Sequence, residues 1–226
     1  MHVTLAEELM LLSLDDESGV AKDASTAAWA AAGGILAELV LAGRVAIEDG
    51  RLTVADRTPT GEPLVDGRLA RLDEWAAGRR AGKAKAADWL IKDRSTAVAD
   101  TVGRLCERGL VVEERRRALG IFPVRRYPEA DGGVERELRE RLAAAVLNGA
   151  EPDLRTAALV ALLHGSRLHR LAFPELPRKQ VEPRFAEIAA GDGAAESVRE
   201  AIRTVQVTMA AVTTAATVAA TTAATV

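Results

Sequence analysis

The chain has 226 residues, 48% hydrophobic and 28% charged. That is enough apolar mass for a sizeable core, and it excludes wholesale disorder. Aromatics make up only 3%, so the apolar content is Ala, Leu and Val, which favours many closely packed helices. The net charge of −3 argues against a general polyanion binder, and the single cysteine, Cys106, excludes an internal disulfide framework and fits a reducing compartment.

In chain order, Thr4-Leu5-Ala6-Glu7 reads as a capping box opening a helix that ends at Asp15–Gly19. Glu7 and Glu8 precede the short LMLLSL run, the wrong order for a secretory signal. A second helix over about 25–42 has few polar residues after Trp29 and stops at Gly43, so it belongs inside. Asp49-Gly50 between alternating runs predicts a tight hairpin. The unit then recurs: a helix near 95–108 stops at Gly109, and residues 110–126, LVVEERRRALGIFPVRR, form the second hairpin. Between the units lie a turn at Arg57–Gly61, a short helix around Leu69–Trp75 and the loop-like basic stretch GRRAGKAKAA.

After Pro128 the pattern is helical throughout. Val134, Leu138, Leu142 and Val146 recur every four residues. Asp153 caps TAALVALLHG, which is apolar all round and therefore central. Phe185 and Ile188 mark one more helix, and Val198, Ile202, Val205 and Met209 the last. Residues 204–226 carry no charge but eight threonines and no Leu, Ile or Phe; a packed helix with a fraying end suits them better than a membrane span. The expected fold is mainly α, a compact α-helical bundle with two short β-hairpins, one of them projecting. One domain covers 1–209, followed by a low-complexity Ala/Thr/Val tail at 210–226.

Catalytic signatures are missing: no glycine-rich phosphate loop, no GxSxG, no CxxC or HExxH. No enzyme activity, metal or cofactor is expected. His164 and His169, five apart, fall on different helix faces, and Trp29, Trp75 and Trp89 read as separate packing anchors. A winged-helix DNA reader needs cations on its recognition helix; the helix at 25–42 has none and that at 95–108 balances Asp100 and Glu107 against Arg104 and Arg108. Nucleic acid is therefore not the expected partner.

Charge is unevenly spread. Residues 79–126 hold 13 Lys+Arg and 6 Asp+Glu, while the remainder holds 17 and 27. The second hairpin ends this basic region with an apolar tip, Leu119, Ile121 and Phe122, between Arg115, Arg116, Arg117 and Arg125, Arg126. Apolar residues flanked by cations suit an anionic membrane. A plain hairpin packed on the core, with solvated arginines, is the competing reading.

The phrases VTLAEELMLLSLDDESG, LAELVLAGRVAIEDGRLTV, LCERGLV and FP-x-RRYPEAD resemble the Golgi phosphoprotein 3 family over about residues 2–209. The Ala- and Arg-rich composition is similar to its bacterial, particularly actinobacterial, members. The resemblance implies a non-enzymatic α-helical bundle with a projecting hairpin used in membrane contact and self-association. In eukaryotic members it further implies peripheral membrane binding through phosphatidylinositol 4-phosphate and adaptor roles toward cytosolic tails. The family places a Trp and an Arg at the start of the second helix; here that stretch has no Arg, and Trp29 falls several positions late. The family's two arginines, three apart, align with Ser95 and Val98, with Lys92 and Arg94 beside them. The expectation is thus a cytoplasmic protein, peripheral on the inner face of the plasma membrane, that meets anionic phospholipid head groups. Lys83, Lys85, Lys92, Arg94, Arg115, Arg116, Arg117, Arg125 and Arg126 are the candidate contacts, and Leu119, Ile121 and Phe122 form the insertion or self-association tip. The alternative is a protein–protein adaptor or homo-oligomer built on the same hairpin, with a winged-helix-like DNA binder behind it.

Overall fold

A computed structural model describes residues 3–14, 24–79, 83–118, 122–128, 130, 132–191, 203, 206, 210, 212 and 214. Side chains at 24–26, 115–118 and 122–126 are not described.

The first helix, α1 (Leu5–Ser13), is buried along its whole length. The capping box forms as the sequence predicts: Thr4 Oγ1 accepts from the Glu7 amide at 3.2 Å, and Glu7 Oε2 accepts from the Thr4 amide at 2.7 Å. Helix α2 (Ala24–Leu41) lies against it. The contact is close because Gly34 has no side chain: a Cβ there would sit 3.0 Å from both Ala6 Cα and Ala6 N. Glu38 of α2 reaches back to accept from the Leu5 amide at 2.8 Å, so the polar residue of that helix caps its neighbour.

Gly43, in a left-handed conformation (φ 69°), ends α2 and leads into β1 (Val45–Glu48) and β2 (Arg51–Val54). Asp49 (φ 49°) and Gly50 (φ 72°) make the expected two-residue turn, with Glu48 paired to Arg51. Helix α3 (Pro63–Ala77) is longer than the sequence suggests; Pro63 takes its first position, where a missing N–H costs nothing. Helix α4 (Ala86–Glu107) also starts well before 95. The KAKAA stretch that reads as loop enters it, because strand pairing with the first hairpin replaces a side-chain cap. The Ala86 amide donates to the Gly50 carbonyl at 2.9 Å, and the Leu52 amide donates to the Ala84 carbonyl at 2.8 Å.

Gly109 (φ 68°) repeats the helix stop, and β3 (Glu114–Ala118) pairs antiparallel with β4 (Phe122–Arg126). These strands lean mainly on each other; neither has an extensive contact with any other described helix or strand. Helices α5 (Gly133–Val146), α6 (Leu154–Gly165), α7 (His169–Ala172) and α8 (Arg178–Ala190) complete the body. Asp153 caps α6, which is buried from Thr156 to Leu163 as its all-round apolar pattern predicts. The described residues at 203, 206, 210, 212 and 214 are helical; Val198, Ile202, Val205 and Met209 lie outside the described residues. The fold is mainly α with small antiparallel hairpins, as expected.

Two sequence readings need correction. Trp75 and Trp89 are not separate anchors: α3 and α4 bring their rings edge to face, with centroids 5.4 Å apart. His164 and His169 are not on different faces of one helix either. α6 ends at Gly165, Arg167 adopts φ 58°, and the reversed chain sets His164 Nδ1 3.3 Å from His169 Nε2.

Candidate functional site

The site is built on α4. Residues 83–86 run extended into the helix with alternating exposure: Lys83 and Lys85 face solvent while Ala84 and Ala86 are buried. An antiparallel bridge sets Arg51 opposite Lys85, so the first hairpin adds its own cation to this end. Lys92 is exposed and follows Lys85 by two helical turns, which puts both on one stripe, about 10 Å apart along the axis. Arg94 lies on the other flank, toward α2. Its guanidinium sits 4.7 Å from the Trp29 ring centroid, and its buried Nε has no hydrogen-bond partner. Trp29 is thus more than a packing anchor; helical spacing alone does not say which neighbouring helix supplies the cation.

Among the described residues, no ion pair engages Lys83, Lys85, Lys92 or Arg94. Other cations of the basic region are committed elsewhere. Arg104 Nε lies 2.7 Å from Glu62, and its Nη1 lies 3.1 Å from Glu107. Arg108 Nε lies 3.0 Å from buried Glu7 and Nη2 pairs with Glu62. Burial pushes the Glu7 carboxyl above its usual range despite the Thr4 bonds and Arg108. At Glu62 burial acts the same way, but the Arg104 hydrogen bond and the two arginine charges outweigh it and the net shift is downward. Arg79 covers Trp75, 3.7 Å from the ring centroid.

A groove of about 370 Å³ between α3 and α4 is lined by Gly67, Arg68, Arg71, Asp100, Gly103 and Arg104 among others. It is rich in arginine, yet each has a carboxylate. Buried Arg68 lies 3.0 Å from Asp93 and 2.8 Å from Asp100, and Arg71 lies 3.6 Å from Asp100. Burial raises the Asp93 carboxyl, with the Arg68 charge opposing it. Charge compensation makes this groove a poor anion trap.

The hairpin candidates lie at the other end. The β3–β4 register sets Arg115 opposite Arg125, Arg116 opposite Val124 and Glu114 opposite Arg126. Arg117 pairs with Pro123 and Ala118 with Phe122. Of the apolar tip, Leu119 and Ile121 lie outside the described residues, and Phe122 is placed by its backbone alone. The 22 residues of α4 separate the Lys83–Lys85 end from the start of this ribbon by about 30 Å. The candidates therefore form two cationic groups joined by one helix rather than a single pocket. Cys106 is half-buried on α4, and burial, with Glu113 and Glu107, raises its thiol. Among the described residues no group of three or more His, Cys, Asp or Glu could hold a metal ion.

The Golgi phosphoprotein 3 (GPP34) family model matches residues 5–205, nearly the whole helical body and both hairpins. The chain belongs to the Golgi phosphoprotein 3 family. No curated protein matches it significantly. No described helix is long and apolar enough to cross a membrane.

Proposed function

We propose that this Golgi phosphoprotein 3 family member is a non-enzymatic, cytoplasmic, peripheral membrane protein that binds anionic phospholipid on the inner face of the plasma membrane. The supporting observation is the contrast in charge compensation. Lys83, Lys85, Lys92 and Arg94 have no ion pair among the described residues, while the arginines of the neighbouring groove are held by carboxylates. Uncommitted cations gain roughly 1 kcal/mol each near an anionic leaflet. Paired ones gain less, since the membrane must compete with their own partners.

On this reading the orientation follows. The lysine end and the ribbon flank opposite ends of α4, so a surface that engages both runs along the helix rather than across its tip. The Lys85–Lys92 stripe then faces head groups, Arg94 adds its charge from the Trp29 flank, and the arginines of β3 and β4 extend the contact, with Leu119, Ile121 and Phe122 entering the acyl boundary. The arrangement calls for anionic charge and not for one phosphoinositide, because Ser95 and Val98 occupy the positions of the family's arginine pair.

Cosedimentation with vesicles of phosphatidylserine and phosphatidylcholine tests the reading against vesicles of phosphatidylcholine alone. Binding to the acidic vesicles, weakened by salt, is the expected result. Equal binding to both compositions overturns it. Mass in solution, measured beside it, detects the self-associating alternative: replacing Ile121 and Phe122 with Ser then dissolves an oligomer and leaves lipid binding unchanged.

A further inference from the structure

His169 is the most enclosed ionisable ring among the described residues. It is 2% exposed, stands edge to face on Phe185 with centroids 4.7 Å apart, and meets His164 through the 3.3 Å nitrogen contact. Phe173 also stands edge to face on Phe185, with centroids 6.1 Å apart. The contact between the two rings requires a single proton between the nitrogens; a proton on both places two cations in van der Waals range inside an apolar corner.

We propose that the α6–α7 corner is an acid-sensitive latch: the His164–His169 contact pins α7 to the end of α6, with the His169 ring on Phe185 of α8, while at most one ring is charged, and the second proton releases it. Around the pair, burial and cations outweigh what favours a charged His169, namely the Glu182 carboxylate and the Arg167 backbone. From α8, Arg178 faces the pair, and Glu182, the nearby anion, is already paired to Arg178. From α5, Arg139, itself held by Glu135, donates to the Leu171 and Ala172 carbonyls at 2.9 Å and so adds positive charge at the C-terminal end of α7. Arg167 and Arg170 flank His169 in sequence. On the α1 and α2 side, Leu168 and Leu171 line a small cavity with Leu9, Met10, Ser13, Ala27 and Ala30, none ionisable. Burial, then His164 and Arg178, accordingly hold the His169 imidazole below its ordinary range.

The sign follows from linkage. A group whose pKa is depressed on folding takes up a proton more readily when released, so acid favours the open state. Stability from the neutral ring is complete above about pH 6.5 and is lost as the pH falls through the depressed value. Opening withdraws Leu168 and Leu171 from the small cavity they line with Leu9 and Met10 of α1 and with Ala27 and Ala30, the stretch of α2 that carries Trp29. The latch thus connects proton concentration to the flank of the α4 surface, through packing rather than through the lipid contacts themselves.

Hydrogen exchange of the full chain tests this at neutral pH and at about pH 5, with intrinsic rates corrected, and with side-chain NMR of both imidazoles alongside. Residues 168–173 are expected to lose at least about tenfold protection in acid while α4 keeps its own. His164→Gln, which retains a polar partner for His169 but carries no second charge, is expected to lose markedly less protection in acid than the unaltered protein, burial of His169 alone remaining. Unchanged protection of 168–173 in the unaltered protein overturns the proposal. So does a His164→Gln variant that loses protection in acid to the same extent.

Discussion

Arg94 of α4 rests over the indole of Trp29 from α2, 4.7 Å from the ring centroid, so one contact both joins two helices and displays a cation at their seam. Stacking at a half-exposed site is worth about 0.5–1 kcal/mol. Arg94→Gln should therefore cost no more than about 1 kcal/mol in denaturant unfolding, yet weaken binding to acidic vesicles about fivefold, the worth of one surface charge. Replacing Lys83, Lys85 and Lys92 together with Gln should weaken binding by about two orders of magnitude on the same arithmetic. Arg104→Gln gives the contrast: it breaks the pairs with Glu62 and Glu107, lowers Tm, and leaves vesicle binding unchanged.

The second hairpin carries a cost within its own register. Arg115 directly opposes Arg125, and like charges across an antiparallel pair destabilise it by roughly 0.2–1 kcal/mol. Arg125→Glu should raise Tm, by up to about 4 °C, while reducing binding to acidic vesicles. A fall in Tm measured by calorimetry would show that the native arginine is instead satisfied within its own chain.

Gly34→Ala offers a substitution where two rules oppose each other. Helix propensity favours alanine by about 1 kcal/mol. Packing opposes it, because the new Cβ meets Ala6 backbone atoms at 3.0 Å and Leu9 Cδ1 at 3.3 Å. Backbone cannot swing aside as a flexible side chain can, so the variant should lose about 1–3 kcal/mol in urea unfolding. Gly103→Ala on α4, where a Cβ meets nothing within 4 Å, should gain stability instead.

Asp153 sets a second pH dependence, at the acid end. Its Oδ1 accepts from the Thr156 amide at 2.7 Å. Burial alone would raise this carboxyl, but the Thr156 hydrogen bonds with the Arg141 and Arg155 charges bring it below its ordinary value of 3.8. Its contribution is whole above that value and disappears as the pH falls through the folded one. Asp153→Asn, which keeps an N-cap but no charge, should flatten the dependence of the urea midpoint between about pH 5 and pH 2.

Much of the fold was legible because its punctuation is local. The Thr4 box, the Asp153 cap, the Asp49-Gly50 turn and the glycine stops at 43 and 109 need no distant partner, and each stands where the sequence puts it. The start of α4 was not legible. It depends on Gly50 and Leu52 pairing with residues 84–86, across more than thirty positions. The same holds for the site. Counting charge along 79–126 finds a basic region, but Arg104 and Arg108 turn to Glu62 and Glu7, which lie far upstream. What remains for an external anion is a smaller set than composition suggests. The histidine pair was missed for a related reason: Arg167, a residue type with no preference for positive φ, makes the reversal that joins them.

The β3–β4 ribbon connects to the helical body by a narrow stem, with the Val112 amide donating to the Pro128 carbonyl at 3.0 Å and the Ala130 amide to the Leu110 carbonyl at 2.9 Å. Among the described residues, neither strand of the ribbon leans extensively on the helices beyond that stem. Residues 114–126 are accordingly an exchangeable cassette: a short turn or the ribbon of another family member could be spliced onto it, and evolution is free to retune what the protein touches without renegotiating how it folds.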